Sequence, residues 1–111
     1  MALQIEYEQE ALDDIVAAGS HAYEEFGEET ADRLLARVRE LAELIATQPK
    51  MAKRIDIPTH RRLGQFQFFP LGKFPYLLFF TTDESTLRVY GLVYESMDLP
   101  AVFRKRWRDE P

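Results

Sequence analysis

Pro49 divides this chain into two regimes of hydrophobic periodicity. Before it, from Ala11 onward, apolar residues recur at three- and four-residue steps; beyond the loop that follows, aromatic and branched residues crowd three short segments separated by turn chemistry. A chain that reads as helices and then strands, rather than alternating the two, belongs to the α+β class.

Leu3, Ile5 and Tyr7 alternate with Gln4, Glu6 and Glu8, which predicts a half-buried N-terminal strand. Leu12, Ile15, Val16, Gly19, Ala22, Tyr23 and Phe26 then share one face of a helix that Gly27 ends, and they form its expected buried stripe. A second helix is predicted from Glu28 to Thr47, burying Ala31, Leu34, Leu35, Val38, Leu41, Leu44 and Ile45. Glu28, Glu29 and Asp32 place negative charge at the positive end of its dipole, and Pro49 prevents its continuation. So short a link makes the two helices an antiparallel hairpin.

Residues 49–60, with Lys50, Lys53, Arg54 and His60 around Pro49 and Pro58, read as a loop. Three strands follow, from Leu63 to Phe69, Phe74 to Thr82 and Thr86 to Glu95. Pro70-Leu71-Gly72-Lys73 and Asp83-Glu84-Ser85 turn the chain between them, giving a three-stranded antiparallel meander. Pro75 fits a strand only at its end or on an edge. The tail from Leu99-Pro100 reads as a short C-terminal helix with Val102, Phe103 and Trp107 on its apolar side. Phe66, Phe68, Phe69, Phe74, Tyr76, Phe79 and Phe80 alternate across both faces of the sheet. The hairpin covers only some of them, so the tail helix, a partner segment or a second copy must cover the rest.

At 111 residues the chain makes one domain spanning residues 1–111, and 46% hydrophobic content suits an ordinary globular core. With no cysteine there is no disulfide, thiolate nucleophile or thiolate metal site. Two histidines, His21 and His60, leave little for a metal centre, and no cofactor is expected. No apolar run is long enough for a membrane span, and the start lacks the features of a signal peptide, so a cytoplasmic location is expected. The net charge of -5 hides an asymmetry. Residues 1–48 hold twelve acidic and three basic side chains, the remainder seven acidic and eleven basic. The acidic half and the basic half form separate electrostatic faces, and the basic one suits nucleic acid or an acidic protein segment. Glu24, Glu25, Glu28 and Glu29 straddle the helix break and read as a hydrated face rather than a cation cage.

Particular stretches carry a family likeness. Glu10-Ala11-Leu12-Asp13-Asp14-Ile15 opens the first helix; Phe26-Gly27-Glu28-Glu29-Thr30-Ala31 and Leu34, then Leu41, Leu44, Ile45 and Pro49, build the second. Arg61-Arg62-Leu63, Phe74-Pro75-Tyr76-Leu77-Leu78-Phe79-Phe80 and Leu87-Arg88-Val89-Tyr90-Gly91-Leu92-Val93-Tyr94 follow in order. In this order the chain resembles the RelE/ParE superfamily, the toxins of type II toxin-antitoxin systems. The resemblance implies a toxin neutralised by a cognate antitoxin, in a homo- or hetero-oligomer. In the RelE branch, toxins cut messenger RNA on the ribosome; in the ParE branch they poison DNA gyrase.

The strand end separates the two branches. Where many members carry histidine and an arginine pair, this chain has Tyr94, Glu95, Ser96 and Met97, and Phe103 stands where several nucleases place a proton-transfer residue. RNA cleavage needs cations on the scissile phosphate and an acid-base group beside the 2'-hydroxyl. Serine and methionine supply no positive charge, and an unperturbed phenol titrates near pH ~10. The ParE branch asks only for a surface, so a gyrase-binding poison is favoured over a ribosome-dependent endoribonuclease or a non-toxic, degenerate member. Arg61, Arg62 and Tyr94 are the weak catalytic candidates. Lys53, Arg54, Arg61, Arg62, Tyr94, Arg104, Arg106 and Trp107 are the candidates for target or partner binding, the tail as an exposed basic segment with a tryptophan anchor. Their bland readings are a cross-strand packing role for Tyr94 and simple packing of Trp107 on the sheet.

Overall fold

The computed structural model describes residues 2–54 and 66–106; the side chains of residues 53, 54, 99, 100, 103 and 104 lie outside the description. The elements are β1 (Gln4–Tyr7), α1 (Gln9–Phe26), α2 (Glu28–Thr47), a 3-10 turn (Pro49–Met51), β2 (Lys53–Arg54), β3 (Gln67–Pro70), β4 (Tyr76–Thr82), β5 (Thr86–Tyr94) and α3 (Leu99–Arg106). This is the expected order of N-terminal strand, helix hairpin, antiparallel strands and C-terminal helix.

Gly27 alone joins the helices. Its φ of 95° lies in the left-handed region that suits glycine, and its N–H donates to Tyr23 O at 2.9 Å, ending α1 as expected. Glu28 and Glu29 then occupy the first turn of α2. The antiparallel pairing brings Gly19 against Leu35, whose Cδ2 would lie 3.3 Å from an added Cβ.

The face that α1 buries keeps Gly19, Ala22 and the partly buried Ile15 of the predicted stripe but is rotated away from its other members. Ala11, Ala18, Gly19 and Ala22 are buried, whereas Leu12, Val16, Tyr23 and Phe26 are exposed, Phe26 by 71%. Small residues let α1 approach both α2 and the sheet closely, and the bulky apolar ones are displaced to the outside. On α2 the stripe holds at Ala31, Leu34, Val38, Leu41 and Ile45. Leu35 and Leu44 are partly exposed there, and Ala42 and Ala46 are buried.

The five strands lie in the order β1-β5-β4-β3-β2, with β1 parallel to β5 and every other pair antiparallel. Two details correct the sequence reading. Lys53 and Arg54, expected in a loop, pair with Phe68 and Gln67 as an edge strand; two residues are too short to carry a periodic signal. Pro70, expected in the turn, closes β3 opposite Leu77. The expected strand start at Leu63 lies outside the described residues. Pro75 stands exposed just ahead of β4, the strand-end position expected for a residue without an N–H. The β4–β5 turn is pinned by Asp83, whose Oδ1 accepts the N–H groups of Ser85 and Thr86, each at 2.8 Å. These two bonds hold its carboxyl below the usual aspartate value.

Two apolar clusters sandwich the sheet. Between the helices and the sheet, Leu34, Leu41 and Ile45 of α2 meet Tyr76, Leu78, Phe80, Leu87, Val89 and Leu92 of the strands. On the other face Phe66, Leu77, Phe79 and Val93 pack with Phe68, Tyr90 and Val102 of α3. The tail helix thus supplies part of the cover expected for the second face. Along β5 the inward row changes parity, from Leu87 and Val89 to Leu92 and Tyr94. Its cause is a bulge: Phe79 pairs Gly91 and Phe80 pairs Val89, which leaves Tyr90 as an extra residue. Among the described residues no helix is long and apolar enough to cross a membrane.

Candidate functional site

β1 pairs with β5 only from Thr86 to Val89, so the last part of β5 runs past its neighbour. The rim there is built by β5, α1 and α3. Glu10, Asp14, Ala18 and His21 recur at three- and four-residue steps along α1 and so fall on one face. Asp14 satisfies the strand that β1 leaves unpaired: its Oδ2 accepts the Leu92 N–H at 2.9 Å. The same oxygen accepts from Arg106 Nη1 at 2.9 Å, and Arg106 also donates to Glu10 Oε2 at 3.1 Å through Nη2 and at 3.2 Å through Nε. These bonds strap α3 to α1 across the end of the sheet. Gly91 makes room for the strap, since an added Cβ would meet Asp14 Oδ2 at 3.1 Å and Arg106 Nη1 at 3.3 Å.

Inside the strap lies a cleft of about 480 Å³, lined by Asp14, His21, Tyr76, Tyr94, Met97 and Val102 among others. Tyr76 and Tyr94 are cross-strand partners, and their rings stack with centroids 4.6 Å apart. Burial first, and then its hydrogen bond to Tyr94, push the Tyr76 phenol up to about 12. Tyr76 is therefore a neutral phenol at physiological pH. His21 brings an imidazole to the same cleft from the exposed side of α1. Among the described residues no cluster of three or more His, Asp or Glu side chains is placed to hold a metal ion.

Of the sequence candidates, the structure brings Tyr94 and Arg106 to one cleft. Tyr94 is the cross-strand packing aromatic of the bland reading in its geometry. Arg106 departs from the expected exposed tail: its side chain is 20% exposed and tied to two carboxylates, while Lys105 is exposed. Lys53 and Arg54 lie in β2 and Arg104 in α3, with their side chains outside the description. Arg61, Arg62 and Trp107 lie outside the described residues. Asp14, Tyr76 and His21 were missed. Their signal was the spacing of Asp14 and His21 seven residues apart around Ala18, visible only once the small residues are recognised as the buried face.

A family profile described as "ParE toxin of type II toxin-antitoxin system, parDE" matches residues 5–108. The chain belongs to the ParE toxin family. Two solved structures show the same fold. One is titled "Chromosomal ParDE TA system from P. aeruginosa", with a TM-score of 0.69 and 13% identity over 84% of this chain and 96% of that one. The other is "The structure of YoeB dimer from Staphylococcus aureus", with a TM-score of 0.60 and 12% identity over 85% and 98% of the two chains. No curated protein matches. As a ParE-family member the chain is the toxin of a type II toxin-antitoxin pair, and its family implies an antitoxin partner. In this ParE-family chain the rim of β5 carries the tyrosine stack and the Arg106 strap.

Proposed function

We propose that this toxin acts in the cytoplasm by binding and poisoning DNA gyrase, without hydrolytic chemistry of its own, and that its antitoxin silences it by covering the binding surface. The observation that carries this reading is the state of the rim. Within the described cleft the one arginine, Arg106, is committed to Glu10 and Asp14, and the two phenols are committed to each other. Cleavage of RNA through its 2'-hydroxyl requires positive charge free to meet the phosphate as it gains charge. A rim of stacked aromatics, a thioether and an imidazole suits adhesion to a protein surface better, since aromatic side chains, Met and Arg are favoured in interfaces. Tyr94 and Met97 are the described residues assigned to target contact, joined by Lys53, Arg54, Arg61, Arg62, Arg104 and Trp107 from the sequence reading.

The test is production of the chain without its antitoxin, with parallel readouts for DNA damage and transcript cleavage, and with purified gyrase assayed for supercoiling. Growth arrest with DNA breaks and blocked supercoiling is expected. Cut transcripts with intact DNA would replace this reading with the ribonuclease one, and unimpaired growth would make the chain a non-toxic member.

A further inference from the structure

Across Phe74 from the tyrosine cleft, α2 and the turn between β3 and β4 enclose another cleft, of about 560 Å³. Arg33 and Arg37, two of the three basic residues among the first 48, converge here, one turn apart on α2. Lys73 joins them from the turn, and the floor is Leu71, with Phe74 and Ala36 as apolar walls. Arg37 is half-buried and held in place: its Nε donates to Leu71 O at 3.0 Å, and its Nη2 would lie 3.8 Å from a Cβ on Gly72. Arg33 donates to Thr30 Oγ1 at 3.4 Å. Among the described residues no carboxylate forms an ion pair with Arg33, Arg37 or Lys73, unlike Arg88 and Arg106. Three cations around an apolar floor, none of them within ion-pair distance of a described carboxylate on an otherwise acidic hairpin, form a recognition surface for negative charge.

We propose that this cleft seats an extended acidic segment of the antitoxin, with an apolar side chain between Leu71 and Phe74 and carboxylates against Arg33, Arg37 and Lys73. The proposal rests on the toxin reading above and adds a site to it. A nucleic acid is disfavoured, because Glu40 lines the same cleft and the surrounding hairpin repels a polyanion. A peptide with a few carboxylates, positioned by its own apolar anchor, carries less charge into that field and can place its carboxylates on the cations and away from Glu40. The antitoxin rather than the target is the source because the clefts are continuous. Thr30, Lys73 and Phe74 also line an intermediate cleft that reaches His21, Tyr76 and Tyr94. One extended strand anchored at Arg37 can therefore run on to the rim and occlude it.

The probe is a labelled peptide in which glutamate alternates with leucine, titrated with purified toxin and read by fluorescence anisotropy. Saturable binding that weakens with added salt is expected, falling roughly tenfold or more in an Arg33→Glu, Lys73→Glu variant. Both side chains are exposed, so the variant's melting curve should match the parent; Arg37→Glu alone should weaken binding as well. Unchanged affinity in the charge-reversed variant, equal binding of a lysine–leucine peptide, or a preference for a thymidine oligonucleotide would overturn the site. In cells, the double variant should stay toxic alone and escape its antitoxin. If it loses toxicity instead, the cleft serves the target and the proposal fails. A harmless parent chain that still binds the acidic peptide would remove the toxin reading while supporting the acidic-segment site.

Discussion

Gly91 and Asp14 show how much of the rim depends on single atoms. A methyl group at position 91 would press within 3.1 Å of Asp14 Oδ2 and 3.3 Å of Arg106 Nη1, forcing the carboxylate away from the Leu92 N–H. Gly91→Ala should therefore lose about 1–3 kcal/mol in urea unfolding, the range for crowding plus an orphaned buried donor. A variant as stable as its parent would mean the strap yields without strain. Tyr76 sets a limit at the alkaline end. Its folded pKa of about 12 lies above the ordinary tyrosine value of 10.0, so the folded state prefers the neutral phenol. That contribution is complete below pH 10 and is lost as the pH rises toward about 12. The half-buried Tyr7, also raised by burial, adds to the slope. Denaturation midpoints across that window should fall steeply in the parent and less steeply in Tyr76→Phe; parallel slopes would contradict the assignment.

At the scale of elements, α1 is where the sequence was hardest to read. Period alone groups Leu12, Ile15, Val16, Tyr23 and Phe26 with Gly19 and Ala22, because size and hydrophobicity draw the eye to large residues. The contact surface selects Ala11, Ala18, Gly19 and Ala22, because two backbones and a sheet must come close there. The outward stripe then predicts an asymmetry between two substitutions. Val16→Lys should leave thermal stability within about 0.5 kcal/mol of the parent, whereas Leu34→Ala, which empties a fully packed site on α2, should lose about 2–5 kcal/mol. Similar losses at both positions would restore the predicted face. Other elements were legible because their signals are local: Gly27 ends α1, Pro49 ends α2, and Asp83 pins the β4–β5 turn. The edge strand β2 was not, since its two residues become a strand only by pairing with Gln67 and Phe68. The cleft was half legible. Tyr94 could be named from its place at a strand end, but Tyr76, Asp14 and His21 reach it through pairing and packing that no local pattern announces.

Taken whole, the molecule closes its open end with a strap rather than a strand. Val102 seals the face of the sheet away from the helices, and Arg106 ties α3 to α1. Removing the tie through Arg106→Ala should leave the sheet folded while exposing α3 to trypsin. Faster cleavage after Lys105, with an unchanged melting profile for the remainder, is the expected pattern; equal digestion rates would show that Val102 holds the helix unaided. The bulge at Tyr90 has a wider consequence. Because the surplus residue is what keeps Tyr94 opposite Tyr76 and facing the helices, ironing the bulge out with Tyr90 held in the ladder would turn Tyr94 outward and Val93 inward. Deleting Tyr90 itself would leave both faces as they are. A descendant could thus exchange its entire working lip by a three-base deletion between the kink and the lip, and keep it if the deletion fell on the kink. Two relatives of identical outline can display opposite letters of nearly the same word, and only counting from the kink tells which letter is spoken.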